Sequence, residues 1–214
     1  MSEICKILAV CIGPGGLPKQ AQEDPVTLST DGFANDKHRY HRHGGPDKAV
    51  CAYIEMDYLA LEDQGYKPTD LLTEGEWEGG AFGENILIDD VNPQRVRLGD
   101  CFFTDTVVMQ VTQPRQPCNN LNVYHPDLMK IIQAQFRAGF YLKVLQGGTL
   151  QAGETLYREN LRGMTLEQVN TLFYVSMRTG TPEERRHAAE ELLAQEQLCE
   201  DFKEDVRTKL LKIK

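Results

Sequence analysis

The chain has 214 residues, room for one to two domains at about 150 residues each and for a core that needs no disulfide or metal to hold it. Apolar residues make up 41% and charged residues 26%, which excludes a disordered chain. Asp and Glu outnumber Lys and Arg by 32 to 23, for a net charge of −9; this excludes a broad phosphate-binding face for nucleic acid but leaves room for a small basic pocket.

No apolar run approaches the roughly 18 residues of a membrane span. The start, Met1-Ser2-Glu3, lacks the basic lead-in and apolar stretch of a secretory leader, so a cytoplasmic protein without membrane partners is expected. The six cysteines, at 5, 11, 51, 101, 118 and 199, form no Cys-x-x-Cys pair and no zinc spacing. In the cytosol they are expected to be reduced thiols.

Residues 3–12 are nearly all apolar and rich in β-branched side chains, which predicts a buried strand ended by Gly13-Pro14-Gly15-Gly16. Further strands are expected near 25–29, 49–54, 84–88, 100–104, 107–111, 140–145 and 155–158, with helices near 55–64 and 126–137. Many short strands with Gly and Pro punctuation favour a mainly β (α+β) fold, a barrel or curled sheet with peripheral helices; the strand–helix alternation of a doubly wound sheet is missing.

The texture changes near residue 160, which divides the expected organisation into a β domain over 1–160 and a three-helix extension over 161–214. Thr165-Leu-Glu-Gln168 and Thr181-Pro-Glu-Glu184 are capping boxes, and apolar spacing predicts helices over 165–178, 182–194 and 197–211. Nine basic and ten acidic residues leave this segment nearly neutral, without the positive face of a helix-turn-helix DNA reader. A packing appendix is the simplest reading, and its apolar stripes allow a homodimer.

Three segments carry candidate chemistry. In 31–50 the acidic chain turns locally basic, with Lys37, Arg39, Arg42 and Lys48 beside His38, His41 and His43, followed by Gly44-Gly45-Pro46-Asp47. Glycines permit close backbone approach, and amides with Lys and Arg suit an anion such as phosphate; a solvated loop fits the same composition. Gly83-Glu84-Asn85 precedes an apolar strand and could place polar groups at its mouth, or be a turn. Gln113-Pro114-Arg115-Gln116-Pro117-Cys118-Asn119-Asn120 is a loop stiffened by two prolines that presents a thiol next to an arginine. Cys5, Cys11, Cys51 and Cys101 sit in apolar strand runs and read as small buried hydrophobes, while Cys199 reads as incidental in a polar helix. A free thiol with a pKa of roughly 8.5 is about 3% thiolate at neutral pH. Lowering that by two units takes about 2.7 kcal/mol, and one cation at ~4 Å can supply about 4 kcal/mol.

Taken in order, Gly32-Phe33-Ala34-Asn35-Asp36, His43-Gly44-Gly45-Pro46-Asp47-Lys48-Ala49-Val50, Gly83-Glu84-Asn85, Leu98-Gly99-Asp100 and Gln113-Pro114-Arg115-Gln116-Pro117-Cys118 resemble the MOSC domain, named for the carboxy-terminal domain of molybdenum cofactor sulfurases. The ending is similar to the three-helix extension of the stand-alone bacterial 6-hydroxylaminopurine resistance proteins. Asn35 stands where the family usually has Gly, and Asn is the next residue best able to adopt a left-handed backbone. Phe33 replaces a leucine.

The resemblance implies a MOSC-type β-barrel that binds the molybdenum cofactor (molybdopterin), with Cys118 as metal ligand. It implies catalytic parts for Cys118, Arg115 and His43, and cofactor contacts from Lys37, Arg39, Gly44, Gly45, Asp47, Lys48, Asn85 and Asn119. The implied reaction is reduction of an N-hydroxylated small molecule, with electrons from a separate flavin or iron–sulfur protein because the chain has no nucleotide-binding fingerprint. An alternative is a sulfur carrier holding a persulfide on Cys118; a third reading is cofactor storage.

Overall fold

A computed structural model describes residues 3–38, 43–66, 79–159 and 162–213. The apolar run at the start is strand β1 (Glu3–Ile12), and it serves two neighbours along its length. Its first four residues pair with β11 (Thr155–Glu159), and Ile7–Val10 pair with β6 (Ile86–Ile88) across a bulge. Cys5, Ile7 and Val10 point into the barrel, Ala9 and Cys11 are buried on its other face, and Ile4 and Leu8 are exposed. The run is therefore half-buried in its first part, as the two-residue period of a strand dictates.

The remaining barrel strands are β5 (Val50–Ile54), β7 (Cys101–Phe103), β8 (Val108–Pro114) and β9 (Phe140–Gln146). Their order is β11-β7-β8-β9-β5-β6-β1, and the β11–β1 pairing closes a barrel of seven strands. Closure removes the open edges that a flat sheet would leave. β5 and β6 are parallel; the other adjacent barrel pairs are antiparallel. Four short strands complete the set: β2 (Gln20–Ala21) on the end of β1, and β3 (Val26–Ser29) between β4 (Gly32–Phe33) and β10 (Gly148–Leu150).

Two apolar clusters position everything else. The larger fills the barrel with Ile7, Val50, Ile86, Phe102, Met109 and Leu142, and continues without a break into Val169, Phe173, Leu192 and Phe202 of the C-terminal helices. The smaller lies outside the barrel, where α1 (Glu55–Asp63) and α2 (Leu128–Ala134) cover Tyr53, Phe82, Leu121 and Tyr124.

The C-terminal segment forms the three expected helices. α3 (Leu166–Asn170) runs through a π-helical stretch, Thr171–Ser176, into α4 (Met177–Thr179), followed by α5 (Pro182–Leu193) and α6 (Glu200–Leu210). Both capping boxes form, Thr165 with Gln168 and Thr181 with Glu184. Cys199, expected to be incidental, is instead a buried docking contact just ahead of α6. Its amide donates to the Thr112 carbonyl at 3.2 Å and its thiol to the Gln113 side-chain oxygen. Among the described residues no helix is long and apolar enough to cross a membrane.

Candidate active site

The site is built from a loop fixed in place by aromatic packing. Tyr53, Tyr58 and Phe82 form a ring cluster with centroids 4.7–5.3 Å apart. Below it Glu84, fully buried, accepts hydrogen bonds from the Tyr58 hydroxyl (2.7 Å) and from the amides of Gly80 (2.6 Å) and Phe82 (3.1 Å). Burial pushes the Glu84 carboxyl above its ordinary pKa. Three donors on one carboxylate pin the loop over 80–85. The pinned Phe82 carbonyl in turn accepts from Nη2 of Arg115.

Arg115 follows β8 at the stiff Gln113–Pro117 turn, where its amide donates to the Gly139 carbonyl at 2.9 Å. Its side chain is buried, and Nη1 has no hydrogen-bond partner among the described residues. Burial works against its charge, but Cys51, Tyr141, Tyr53 and Glu84 outweigh that and hold its pKa above the ordinary arginine value. A buried donor without an acceptor costs about 1–3 kcal/mol, so this guanidinium is suited to an acceptor that the described residues do not provide.

Arg115 lines a pocket with Cys118, His38, His43, Lys37 and Asn85. Four of the predicted residues, Lys37, His43, Arg115 and Cys118, thus meet as functional groups although they come from distant segments. Cys118 is partly exposed, at the start of a short 3-10 turn, Asn119–Val123, whereas Cys5, Cys11, Cys51 and Cys199 are buried. Cys101 is partly exposed on β7, rather than fully buried as its apolar context suggested.

Other predicted residues take supporting places. Asn85 touches the pocket, but its side chain is engaged within the protein: Oδ1 accepts from the Cys51 amide (3.0 Å), and Nδ2 donates to the Cys11 carbonyl (3.2 Å) and to Asp36 (2.8 Å). Asp36 also holds Lys19 at 2.7 Å and the Gly13 amide at 3.0 Å. Asn35 has φ of 63°, so the substitution for glycine preserves the left-handed turn that delivers Asp36. Gly45 has φ of 106°, and a Cβ on Gly44 would lie 2.4 Å from the His38 ring. Gly44 thus lies tight against His38, whereas a Cβ on Gly45 would meet nothing within 4 Å. Gly44, Gly45, Asp47 and Asn119 line neither this pocket nor its neighbour, and the Asp47 carbonyl accepts from the Thr112 hydroxyl at 2.6 Å. Arg39, with His41 and Arg42, lies outside the described residues.

Sequence reasoning missed Lys19, Cys51, Tyr141 and Asn120, which also line the pocket. Tyr141 and Cys51 are register partners on β9 and β5, and cross-strand register is not readable from one strand. Lys48 was expected beside the anion site. It is buried, lines a second chamber next to the first, and binds Asp201 of α6 at 2.5 Å.

Residues 39–157 match the MOSC domain. The chain belongs to the MOSC domain family. It is 31% identical over 175 residues to the uncharacterized protein YflK of Bacillus subtilis (strain 168), covering 79% of this chain and 76% of YflK. It is also 31% identical over 141 residues to a Gibberella moniliformis protein named Reductase, covering 64% of this chain and only 24% of that protein. Among solved structures, YiiM from Geobacillus stearothermophilus superposes with a TM-score of 0.76 at 25% identity, over 96% of this chain and 99% of that one. The last overlap includes the C-terminal helices, so this MOSC barrel and its helical segment recur together in a related protein.

The electrostatics of the MOSC pocket give a direct test. Burial, then Arg115, His38 and Lys48, lower the His43 pKa from 6.5; burial and Lys19 do the same for His38. A depressed folded pKa contributes stability that is complete above the unfolded value and lost as pH falls through the folded one. An anion in the pocket offsets the positive neighbours and raises the value again. An NMR titration, with His43 assigned through His43→Gln, is expected to give a midpoint below 6.5 that rises when inorganic phosphate is added. A midpoint at or above 6.5, unmoved by phosphate, contradicts a cationic anion pocket.

Proposed function

We propose that this protein binds the molybdenum cofactor through Cys118 and reduces N-hydroxylated small molecules. Within the MOSC family we place it with the stand-alone bacterial proteins that resemble 6-hydroxylaminopurine resistance proteins, and we assign residues 1–160 to the barrel domain and 161–214 to its extension. The observation that carries the reading is one partly exposed thiol sharing a pocket with a buried guanidinium that has an unused donor.

The residues fit the group. A pterin cofactor ends in a phosphate, and Arg115 with Lys37 supplies charged donors suited to it. The pocket presents one partly exposed sulfur, Cys118, among nitrogen cations, with Cys51 buried in its wall, which suits a metal that arrives with its other ligands already attached. Among the described residues no group of three or more His, Cys, Asp or Glu is gathered to hold a bare ion. The cofactor, when bound, supplies two-electron chemistry at a metal.

The chain's own residues hold and orient. Cys118 would hold the metal and Arg115 and Lys37 the anionic tail, while Asn85 with Asp36 keeps the loop walls in register. In the overall reaction R–NHOH gains two electrons and two protons, the N–O bond breaks, and the amine and water leave. The electrons come from a flavin or iron–sulfur protein. His43 lies where it can deliver a proton; since its pKa is lowered, turnover limited by that proton rises as pH falls below neutral.

Chain purified from a cofactor-replete host, supplied with a reduced flavin or iron–sulfur donor, is expected to convert an N-hydroxylated adenine to adenine. A gain of one sulfur atom on Cys118 by mass spectrometry, with no conversion of the hydroxylamine, would instead identify a sulfur carrier.

A further inference from the structure

A separate cleft opens where β8 ends and β9 begins, at the junction of the barrel, α1 and the C-terminal helices. It shares no lining residue with the Cys118 pocket or the chamber beside it. Pro114 and Phe140 pair across the two strands and line the cleft, while their neighbours Arg115 and Tyr141 line the Cys118 pocket. α1 contributes Asp57, and α3 contributes Leu166 and Asn170. Two buried polar side chains in this wall have unmet hydrogen-bonding capacity. Asn170 is 5% exposed, and its Oδ1 is buried with no partner among the described residues. Asp57 is 2% exposed; its one side-chain hydrogen bond among the described residues runs from Nη1 of Arg137 to Oδ1 at 2.7 Å, which leaves Oδ2 without a donor. Burial pushes the Asp57 carboxyl up to about 6 in spite of that pair. Buried polar groups are nearly always hydrogen-bonded. Two that are not, in one cleft of about 70 Å³, mark a place suited to donors that the described residues do not supply. Asn170 is also the last residue of α3 before the π-helical stretch Thr171–Ser176, an irregularity found often at functional sites.

We propose that this cleft binds the uncharged head of a small molecule that carries an N–H donor beside a carbonyl acceptor, as a primary carboxamide, a urea or a lactam does. The N–H groups of such a head donate to Asp57 Oδ2 and to the Asn170 amide, and its carbonyl accepts from Asn170 or Arg137. A half-turn of the Asn170 amide exchanges Oδ1 and Nδ2, so either end can be presented to the ligand. Pro114, Phe140 and Leu166 cover the apolar part next to the head. The volume is roughly half that of a cavity that takes up benzene, so the head alone is enclosed. A ketone or a carboxylate of the same size has no N–H to offer and leaves both acceptors unpaired, which is a stronger ground for rejection than shape. The proposal is independent of the reaction assigned to Cys118, and its test needs no cofactor.

The probe is benzamide, with acetophenone (a methyl in place of the amino group) and benzoate as controls. Binding is measured by isothermal titration and saturation-transfer NMR on the full chain, as wild type, Asn170→Leu and Asp57→Asn. Benzamide is expected to bind wild type severalfold tighter than either control. Its affinity is expected to fall about tenfold in Asn170→Leu, the worth of one good hydrogen bond, and severalfold in Asp57→Asn. Asn170→Leu is nearly equal in volume and removes a buried amide with no partner, so it is expected to melt no lower than wild type, whereas loss of a purely structural amide would lower Tm. Should the leucine variant fail to fold, Asp57→Asn decides: an unchanged preference for benzamide over acetophenone there overturns the proposal. Benzamide bound no better than acetophenone, or bound equally by wild type and both folded variants, overturns it too. Absence of benzamide binding at millimolar concentration identifies a cleft that holds water only and does the same.

Discussion

Cys118→Ser is expected to abolish turnover of N-hydroxylated substrates, a loss of at least about a thousandfold, while unfolding free energy changes by less than about 0.5 kcal/mol. Both halves follow from where the thiol lies. It is partly exposed on a loop held by other contacts: the Arg115 amide on Gly139, the Arg115 side chain on Phe82, and Gln116 on Asp205. Serine is nearly isosteric and leaves all of these in place. A hydroxyl, however, is a hard ligand where the proposed metal contact calls for a soft sulfur. Measured turnover with thermal melting on the same samples checks the pair of outcomes. An active serine variant, or an inactive one that has lost several kcal/mol of stability, contradicts the assignment.

The largest expected effect on stability lies at the barrel seam. Arg158 on β11 is fully buried and donates to Asp100 from Nε (3.1 Å) and Nη2 (2.7 Å); Asp100, also fully buried, accepts the Arg97 amide at 2.9 Å as well. Arg158 further reaches Glu3 on β1 at 2.7 Å and the Arg95 carbonyl. It therefore joins β1, β11 and the turn into β7 where the cylinder closes. Arg158→Met keeps much of the volume but leaves the Asp100 carboxylate buried without its counter-ion, which costs about 3–5 kcal/mol. For a chain of this size that lowers Tm by roughly 10 °C. Replacing both partners, as Arg158→Met/Asp100→Leu, is expected to recover much of the loss, since no buried charge is then orphaned. A single variant that melts within a degree or two of wild type argues against the seam as a stabilising element. The Leu98-Gly99-Asp100 motif thus has a structural reason and needs no role in chemistry.

The barrel was largely legible because its strands are carried by local pattern. The β-branched run of β1 and the alternation of Val107, Met109 and Val111 show their elements directly, and both capping boxes mark helix starts that form as expected. β2, β4 and β10 were not legible: two or three residues hold no period, and their pairing depends on chain brought in from elsewhere. The same division runs through the site. Arg115 stands between two prolines and Cys118 directly follows the second, so a stiff loop with a thiol is visible in one segment. Asn85 carries the polarity of a ligand residue, yet register turns it inward to bond Cys51, Cys11 and Asp36. The contact between Lys48 and α6 was hidden for a plainer reason: Lys48 and Asp201 are 153 residues apart in sequence and 2.5 Å apart in space.

The most direct test of the central claim is molybdenum and pterin content, measured on wild type and Cys118→Ser purified from the same cofactor-replete host. The account predicts molybdenum approaching one atom per chain in wild type, with pterin alongside it, and metal near background in the serine variant. Wild type free of both, or equal molybdenum in the two proteins, contradicts a metal held by this sulfur.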